Sequence, residues 1–307
     1  MKKNGMKQDI NLISLVERYR DEDSCRALLE ELRWPDGVTC PRCESKSISR
    51  IQKPRVFECN ACRYQFSVTS NTTFHDSHLP LWKWFATAYL MIESKKGISA
   101  NQVKRTIGVS YKTAWYLCHR IRAAMPETNL LNGIVEVDET FVGGKTEGMG
   151  HGYKGNKTVV VGALQRGGKA VLQVVDDRGR QSLHQFIRES THPDTEAIYT
   201  DDWPPYRGIA DKDTKHEVVN HSAEEWVRGG VHTNSVENVW SLLKRSIVGS
   251  YHKLSTKHLN SYLDELKWRF NNRENPYLFR DTIKKLICAE NLRYEELVGS
   301  SPNRKQP

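Results

Sequence analysis

Nothing in this 307-residue chain approaches the ~20 consecutive apolar residues that a membrane-spanning helix needs. The basic start, Met1-Lys-Lys-Asn-Gly-Met-Lys-Gln-Asp, has no apolar stretch behind it, which argues against a secretory leader. There is no internal repeat and no low-complexity tract, so a repeat architecture is not indicated. A soluble, cytoplasmic protein with no membrane partner is expected. Acid is the scarce charge: 37 Asp and Glu stand against 46 Lys and Arg, giving a net charge of +9 and a pI near 9.1. That excess favours a polyanionic partner, because Lys and Arg displace the counterions condensed on nucleic acid. A solvated basic surface would give the same balance. What remains is ordinary for a globular protein, 38% apolar and 27% charged, and the length suits two or three domains.

Three of the seven cysteines, Cys25, Cys118 and Cys288, are scattered and read as packed or inert. The other four form two Cys-x-x-Cys knuckles, Cys40-Pro-Arg-Cys43 and Cys59-Asn-Ala-Cys62, with fifteen residues between them. In a reducing compartment such pairs suggest metal rather than disulfide. Two close turns supply the four thiolates of a tetrahedral Zn2+, and a closed set of four is structural rather than catalytic. The intervening Ser47–Glu58 reads as a β-hairpin and Tyr64-Gln-Phe-Ser-Val as a further strand, so residues 37–70 form a zinc ribbon. Arg42, Lys46, Arg50, Lys53, Arg55 and Arg63 would give it a basic surface for nucleic acid, although zinc ribbons also bind proteins.

Ahead of the ribbon, apolar residues at helical spacing from Asn11 to Leu32, broken by Asp21-Glu-Asp-Ser, predict two short helices within residues 1–36. Behind it, residues 79–126 return to helix. Leu81–Glu93 is apolar and aromatic almost throughout, hence buried. A helix from about Ser99, a turn at Gly108-Val-Ser and a second helix from about Tyr111 give a helix-turn-helix layout. Any helical hairpin would share that layout. In a DNA-binding one, Lys112, Arg120 and Arg122 on the second helix would contact phosphates or bases.

From Gly133 the period changes to strands: Ile134–Val142, Thr158–Leu164 and Ala170–Val175, then a helix Ser182–Ser190 and a short strand Ala197–Thr200. This order predicts an α/β domain on a mixed sheet over 132–275, with a C-terminal helix and tail at 276–307. The Gly/Lys-rich stretch Gly143–Lys157 reads as a flexible loop near Asp138. Three acids stand out. Asp138 lies in a β-branched run whose alternation puts Val135, Val137, Glu139 and Phe141 on one face and Glu136, Asp138 and Thr140 on the other. Asp201 ends Ile198-Tyr-Thr, and Glu237 opens an amphipathic helix in which Lys244 lies two turns on. Grouped carboxylates repel one another, and divalent cations bound to these hard oxygens relieve that cost. Two Mg2+ ions roughly 3.5–4 Å apart could activate water or a DNA 3′-hydroxyl and stabilise the leaving oxygen.

Asp138, Asp201 and Glu237, with thirty-five residues between the last two and Lys244 seven beyond, resemble the DDE signature of transposases and retroviral integrases. The strings Asp-Glu-Thr-Phe-Val-Gly-Gly and Asn-Ser-Val-Glu-Asn-Val-Trp-Ser-Leu-Leu-Lys-Arg resemble a narrower group, insertion-sequence transposases of the ISXO type, in which a zinc ribbon precedes the DDE domain. The resemblance runs from about Leu28 to Arg273. It implies a ribonuclease H-like fold and Mg2+ or Mn2+ dependence, with Asp138, Asp201 and Glu237 as metal ligands. It also implies that Lys244 and Arg245 contact DNA. His232 and Asn234 are candidates for supporting roles. Glu265, Arg269 and Arg273, at four-residue steps, match that group's C-terminal signature and equally an ion-pair ladder.

The activity implied is that of a DNA transposase. Its ribbon and helix-turn-helix would bind the terminal inverted repeats of an element, and its acids would support phosphodiester hydrolysis and strand transfer into double-stranded target DNA. Two DNA ends imply a homodimer or higher assembly on DNA. The alternatives are a nuclease of the same fold that cuts without joining, and a zinc-ribbon DNA-binding regulator whose catalytic domain has lapsed.

Overall fold

A computed structural model describes residues 10–51, 55–143, 157–210, 214–219 and 232–299. The loop expected over 143–157 therefore lies outside the described residues except for its two ends, and Lys53 lies outside them as well. The chain divides into two compact units. One comprises residues 1–94, 98–125 and 274–307, the other 95–97 and 126–273.

In the first unit, α1 (Leu12–Arg18) and α2 (Glu22–Arg33) begin on Asn11 and Asp21, whose side chains accept the Ser14 and Ser24 backbone N–H groups. The ribbon follows as an antiparallel sheet of β1 (Ile48–Arg50), β2 (Phe57–Cys59) and β3 (Gln65–Phe66). Phe57 and Phe66 stack beneath Trp34 and give this small sheet an apolar floor. The aromatic α3 (Leu81–Glu93) is buried along most of its length, as its composition predicts. α4 (Ala100–Ile107) and α5 (Tyr111–Ala123) form the helix-turn-helix layout, with Ser99 and Ser110 as N-caps. Gly108 ends α4 at φ +63°, a left-handed conformation that costs a residue with a Cβ about 1–2 kcal/mol. α9 (Leu278–Cys288) returns to this unit, where Thr73 N–H donates to the Leu286 carbonyl.

The second unit is built on a five-stranded mixed sheet. β4 (Ile134–Val142), β5 (Thr158–Gln165) and β6 (Ala170–Val175) form an antiparallel meander. β7 (Ala197–Asp201) and β8 (Lys215–Val219) run parallel to β4, giving the order β6-β5-β4-β7-β8. An antiparallel meander extended by parallel strands on the far side of its first strand is the ribonuclease H-like arrangement. α6 (Arg180–Ser190) makes the crossover from β6 to β7. Its Leu183, Phe186 and Ile187 pack on Val135, Val137, Val161 and Ile198. α7 (Asn234–Ser246) and α8 (Leu259–Asn271) cover the opposite face, where Val236, Val239, Trp240, Leu263 and Leu266 meet Val142, Val160, Leu164 and Leu172. The alternation along β4 thus sends Val135 and Val137 under α6, and Glu136 and Asp138 toward α7. Among the described residues no helix is long and apolar enough to cross a membrane.

Candidate active site and metal centre

Adjacent parallel strands put side chains of equal register side by side. β4 and β7 pair Ile134 with Ala197 and Glu136 with Tyr199, so the same register two residues on sets Asp138 beside Asp201. Like charges in a half-buried setting are costly. Burial, and then the Glu139 and Asp201 charges, raise the Asp138 carboxyl to about 7, against the opposing pull of the Trp240 indole N–H. That indole donates to Asp138 Oδ2 at 2.8 Å. It reaches the carboxylate because the β5 residue opposite Asp138 is Gly162, where an added Cβ would come within 2.5 Å of the Trp240 ring.

Asp201 caps its own turn, with Oδ1 accepting the Trp203 N–H at 3.2 Å. On the α6 side of β4, Glu139 accepts the Tyr206 hydroxyl at 2.7 Å and faces Arg178 at 3.8 Å. Burial, and the charge of Asp201, hold Glu139 above the usual carboxylate range. Asp138, Glu139 and Asp201 therefore make up one electrostatic group. Hard oxygen donors with raised proton affinity are the donor set that a divalent cation suits.

Glu237 is exposed on the first turns of α7, one turn before Trp240, and its Oε1 accepts the Thr233 hydroxyl at 3.2 Å. It does not close on the two aspartates: among the described residues, the only group of three or more ligand-type side chains with all donor atoms within 4.8 Å is the four cysteines. Lys244 and Arg245 are exposed near the end of α7. His232 Nδ1 lies 3.3 Å from Glu136 Oε1, and Asn234 is exposed at the first position of the helix.

Glu136 is the residue sequence reasoning underrated. It is fully buried, and its carboxylate accepts the Ser235 and Val236 backbone N–H groups at 2.8 and 3.2 Å, the Ser235 hydroxyl at 3.0 Å and Arg166 Nε at 2.8 Å. A charge inside a β-branched run, two residues before Asp138 and on its face, was the available signal. Trp240 had one too, at a helical step of three from Glu237. Of the C-terminal trio, Glu265 and Arg269 form a buried ion pair that also takes the Tyr251 hydroxyl, at 2.9 Å from Glu265. Arg273 instead reaches the Phe270 carbonyl.

In the ribbon, Cys40 and Cys62 Sγ are 3.7 Å apart and Cys43 and Cys59 Sγ 3.5 Å apart. The two knuckles share one geometry. Each is followed by a residue of positive φ, Glu44 at 59° and Arg63 at 58°, whose N–H donates to the carbonyl of the first cysteine at 2.9 and 2.8 Å. The Cys62 and Ala61 backbone N–H groups hold the Cys59 thiol down at about 6, while Cys43, against the pull of the Ser45 N–H, is pushed up to about 12 by the Cys62 and Cys59 thiols, so the pair shares a proton that a metal must displace. Part of the basic charge is offset locally, because Arg50, Arg55 and Arg63 pair with Glu30, Asp23 and Glu58 while staying exposed; Arg42 and Lys46 are exposed as well.

One expectation is corrected. Arg120 and Arg122 are 4% and 2% exposed, so neither presents its charge to DNA from α5. The Arg120 guanidinium donates to the Thr73 and His75 carbonyls and lies against the Trp84 and Tyr116 rings, holding the segment before α3. Both arginines fall on the helix face that packs inward, whereas Lys112 is exposed, with its ammonium 4.5 Å from the Tyr294 ring.

Comparison with known proteins matches residues 130–271 to an ISXO2-like transposase domain and residues 20–65 to a transposase zinc-ribbon domain. A protein of the transposable element ISH50 from Halobacterium salinarum is 28% identical over 275 residues, covering 83% of this chain and 92% of the relative. A transposase-like protein of Haemophilus influenzae is 31% identical over 101 residues, covering 33% of this chain and 80% of that protein. Among solved structures, a pre-cleavage Mos1 transpososome superposes over 66% of this chain and 75% of that one, at 11% identity. Its TM-score is 0.27.

Proposed function

The chain belongs to the family of ISXO2-like transposases with an N-terminal zinc ribbon, and from that premise we propose that it binds the ends of an insertion sequence and both cuts and joins DNA. The observation that carries the reading is the pairing of Asp138 and Asp201 on adjacent parallel strands, beside the helix that bears Glu237. Asp138, Asp201 and Glu237 would hold divalent ions, Mg2+ or Mn2+ and two in number, which supply the Lewis acidity for in-line attack on a phosphodiester. Trp240 fixes the direction of the Asp138 carboxylate. Lys244 and Arg245, exposed two turns beyond Glu237, contact backbone phosphates, and Lys112 does so from the helix-turn-helix. No side chain is needed as a covalent nucleophile, since water or a 3′-hydroxyl attacks. The four cysteines hold a structural Zn2+. The active assembly is a dimer or larger on two DNA ends, acting in the cytoplasm.

The experiment combines labelled element-end DNA, a target plasmid and Mg2+. Joined product is expected. Cleavage without joining would replace this reading with a nuclease, and binding alone with a DNA-binding regulator. Asp201→Asn is expected to remove both steps, with a loss larger than the roughly 10–100-fold typical of a residue that only supports a metal ligand. Wild-type turnover in that variant would place the active site elsewhere.

A further inference from the structure

We propose that Glu136 is a positioning residue that sets the place of the third acid, Glu237, by capping α7 from the neighbouring strand. The inference rests on the proposed metal site of Asp138, Asp201 and Glu237.

A helix leaves its first N–H groups without intrahelical partners, and the residue before it ordinarily accepts one of them through its side chain. Thr233 stands in that place but makes no cap. Its hydroxyl is turned to Glu237 Oε1 instead, at 3.2 Å. The cap comes from Glu136, ninety-nine residues away in sequence from Ser235, whose Oε2 takes the Ser235 and Val236 N–H groups. A negative charge at a helix N-terminus also complements the helix dipole. Arg166 completes the clamp, donating to Glu136 Oε1 at 2.8 Å and to the His232 carbonyl at 3.1 Å, so that the residue leading into the helix is tied down with it.

A second fastening lies one turn beyond Glu237, where Trp240 donates to Asp138. The two fastenings match in length. Glu136 and Asp138 are two residues apart on β4, about 7 Å at strand rise. Ser235–Val236 and Trp240 are four to five residues apart on α7, also about 7 Å at helical rise. Glu237 lies between the fastened points, so rotation or sliding of α7 against β4 would change where its carboxylate stands relative to the aspartates. A buried carboxylate with five polar neighbours is costly to maintain, and that placement is what it supports.

The test uses the full-length, zinc-loaded protein and two readouts that do not depend on turnover. These are Mn2+ binding by electron paramagnetic resonance and hydrogen exchange of the segment 233–240. Glu136→Gln keeps the size of the side chain but removes its charge and one acceptor oxygen. We expect Mn2+ affinity to fall roughly 10–100-fold, with faster exchange of the Ser235 and Val236 amides. Unchanged affinity, or weakened affinity with unchanged exchange, overturns the inference. Asp201→Asn distinguishes the two levels. If it abolishes Mn2+ binding while Glu136→Gln binds as wild type, the metal site stands and the positioning role falls. If Asp201→Asn binds Mn2+ normally, the metal site itself is misplaced. Should Glu136→Gln fail to fold, Ser235→Ala removes only the 3.0 Å hydroxyl contact, and a severalfold weakening is expected; wild-type affinity in that variant overturns the proposal.

Discussion

In the ribbon all four sulfur donors come from two turns of the same geometry between Cys40 and Cys62, and they already lie within 4.8 Å of one another. In the second unit the acids come from two strands and a helix, at residues 138, 201 and 237, and only the first two are side by side. The first arrangement is local: a short loop and two knuckles form it, over a floor of three aromatic rings, Trp34, Phe57 and Phe66. The second is imposed by an apolar core on both faces of a five-stranded sheet, which would stand without any ion. A site made of turns needs its metal to fold, while a site made of strands and a helix needs its fold to bind metal.

Metal removal should separate the two most sharply. Structural zinc contributes on the order of 10–16 kcal/mol of apparent binding free energy to small cysteine modules. Chelation, or Cys59→Ser, should therefore release zinc and expose the amides of residues 40–66, while the amides of β4 and β5 keep their protection. Zinc analysis with hydrogen exchange reads both. Protection that persists across the ribbon after zinc is gone would break the comparison. A smaller effect is expected at Gly162. Valine there would drive a side chain into the Trp240 ring, an overpacking that costs about 1–3 kcal/mol, and would pull the indole from Asp138. Thermal unfolding should fall accordingly, and Mn2+ affinity with it. Gly249, which has open space around its Cβ direction, is the control, and Gly249→Ala should stay within about 0.5 kcal/mol. Lost stability with full Mn2+ affinity in Gly162→Val would mean that the Trp240 contact does not matter to the acids.

The same division explains what could be read from the sequence. Cys-x-x-Cys spacing specifies its own geometry, and the helix from about Ser99, the turn at Gly108 and the second helix from Tyr111 stand where local signals put them. The β4 alternation also fixed which side chains face α7. β8 was missed because Lys215-His-Glu is polar and at the sheet edge, where no second neighbour demands an apolar pattern. Arg120 and Arg122 misled because a charge on a helix reads as exposed. Only tertiary packing shows that the Thr73 and His75 carbonyls and two aromatic rings make an interior place for Arg120. Glu136 was legible as a buried charge on the face of Asp138, but its partner lies ninety-nine residues on, and no local pattern links them.

The smallest effect concerns pH, and here the two sites should move apart. An aspartate ordinarily ionises near 3.9, whereas burial and its acidic neighbours hold Asp138 at about 7. In the metal-free protein the folded state therefore binds this proton where the unfolded chain does not, so the group's contribution to stability declines as pH rises from about 4 through 7. A cation must displace that proton. Its affinity should be level above about 7 and fall by at most tenfold for each pH unit below. The ribbon differs in affinity rather than in titration: Cys59 is shifted down to about 6 and its neighbour Cys43 up to about 12, so zinc displaces protons throughout this range, and binding on the order of 10–16 kcal/mol leaves it in place. Between pH 8 and pH 6 the ribbon should then keep its zinc while the acids lose about tenfold in Mn2+ affinity. Parallel titrations at pH 6, 7 and 8, with Mn2+ followed by paramagnetic resonance and zinc by metal analysis, read both. Mn2+ affinity that does not change over that range would show that Asp138 is not among the ligands.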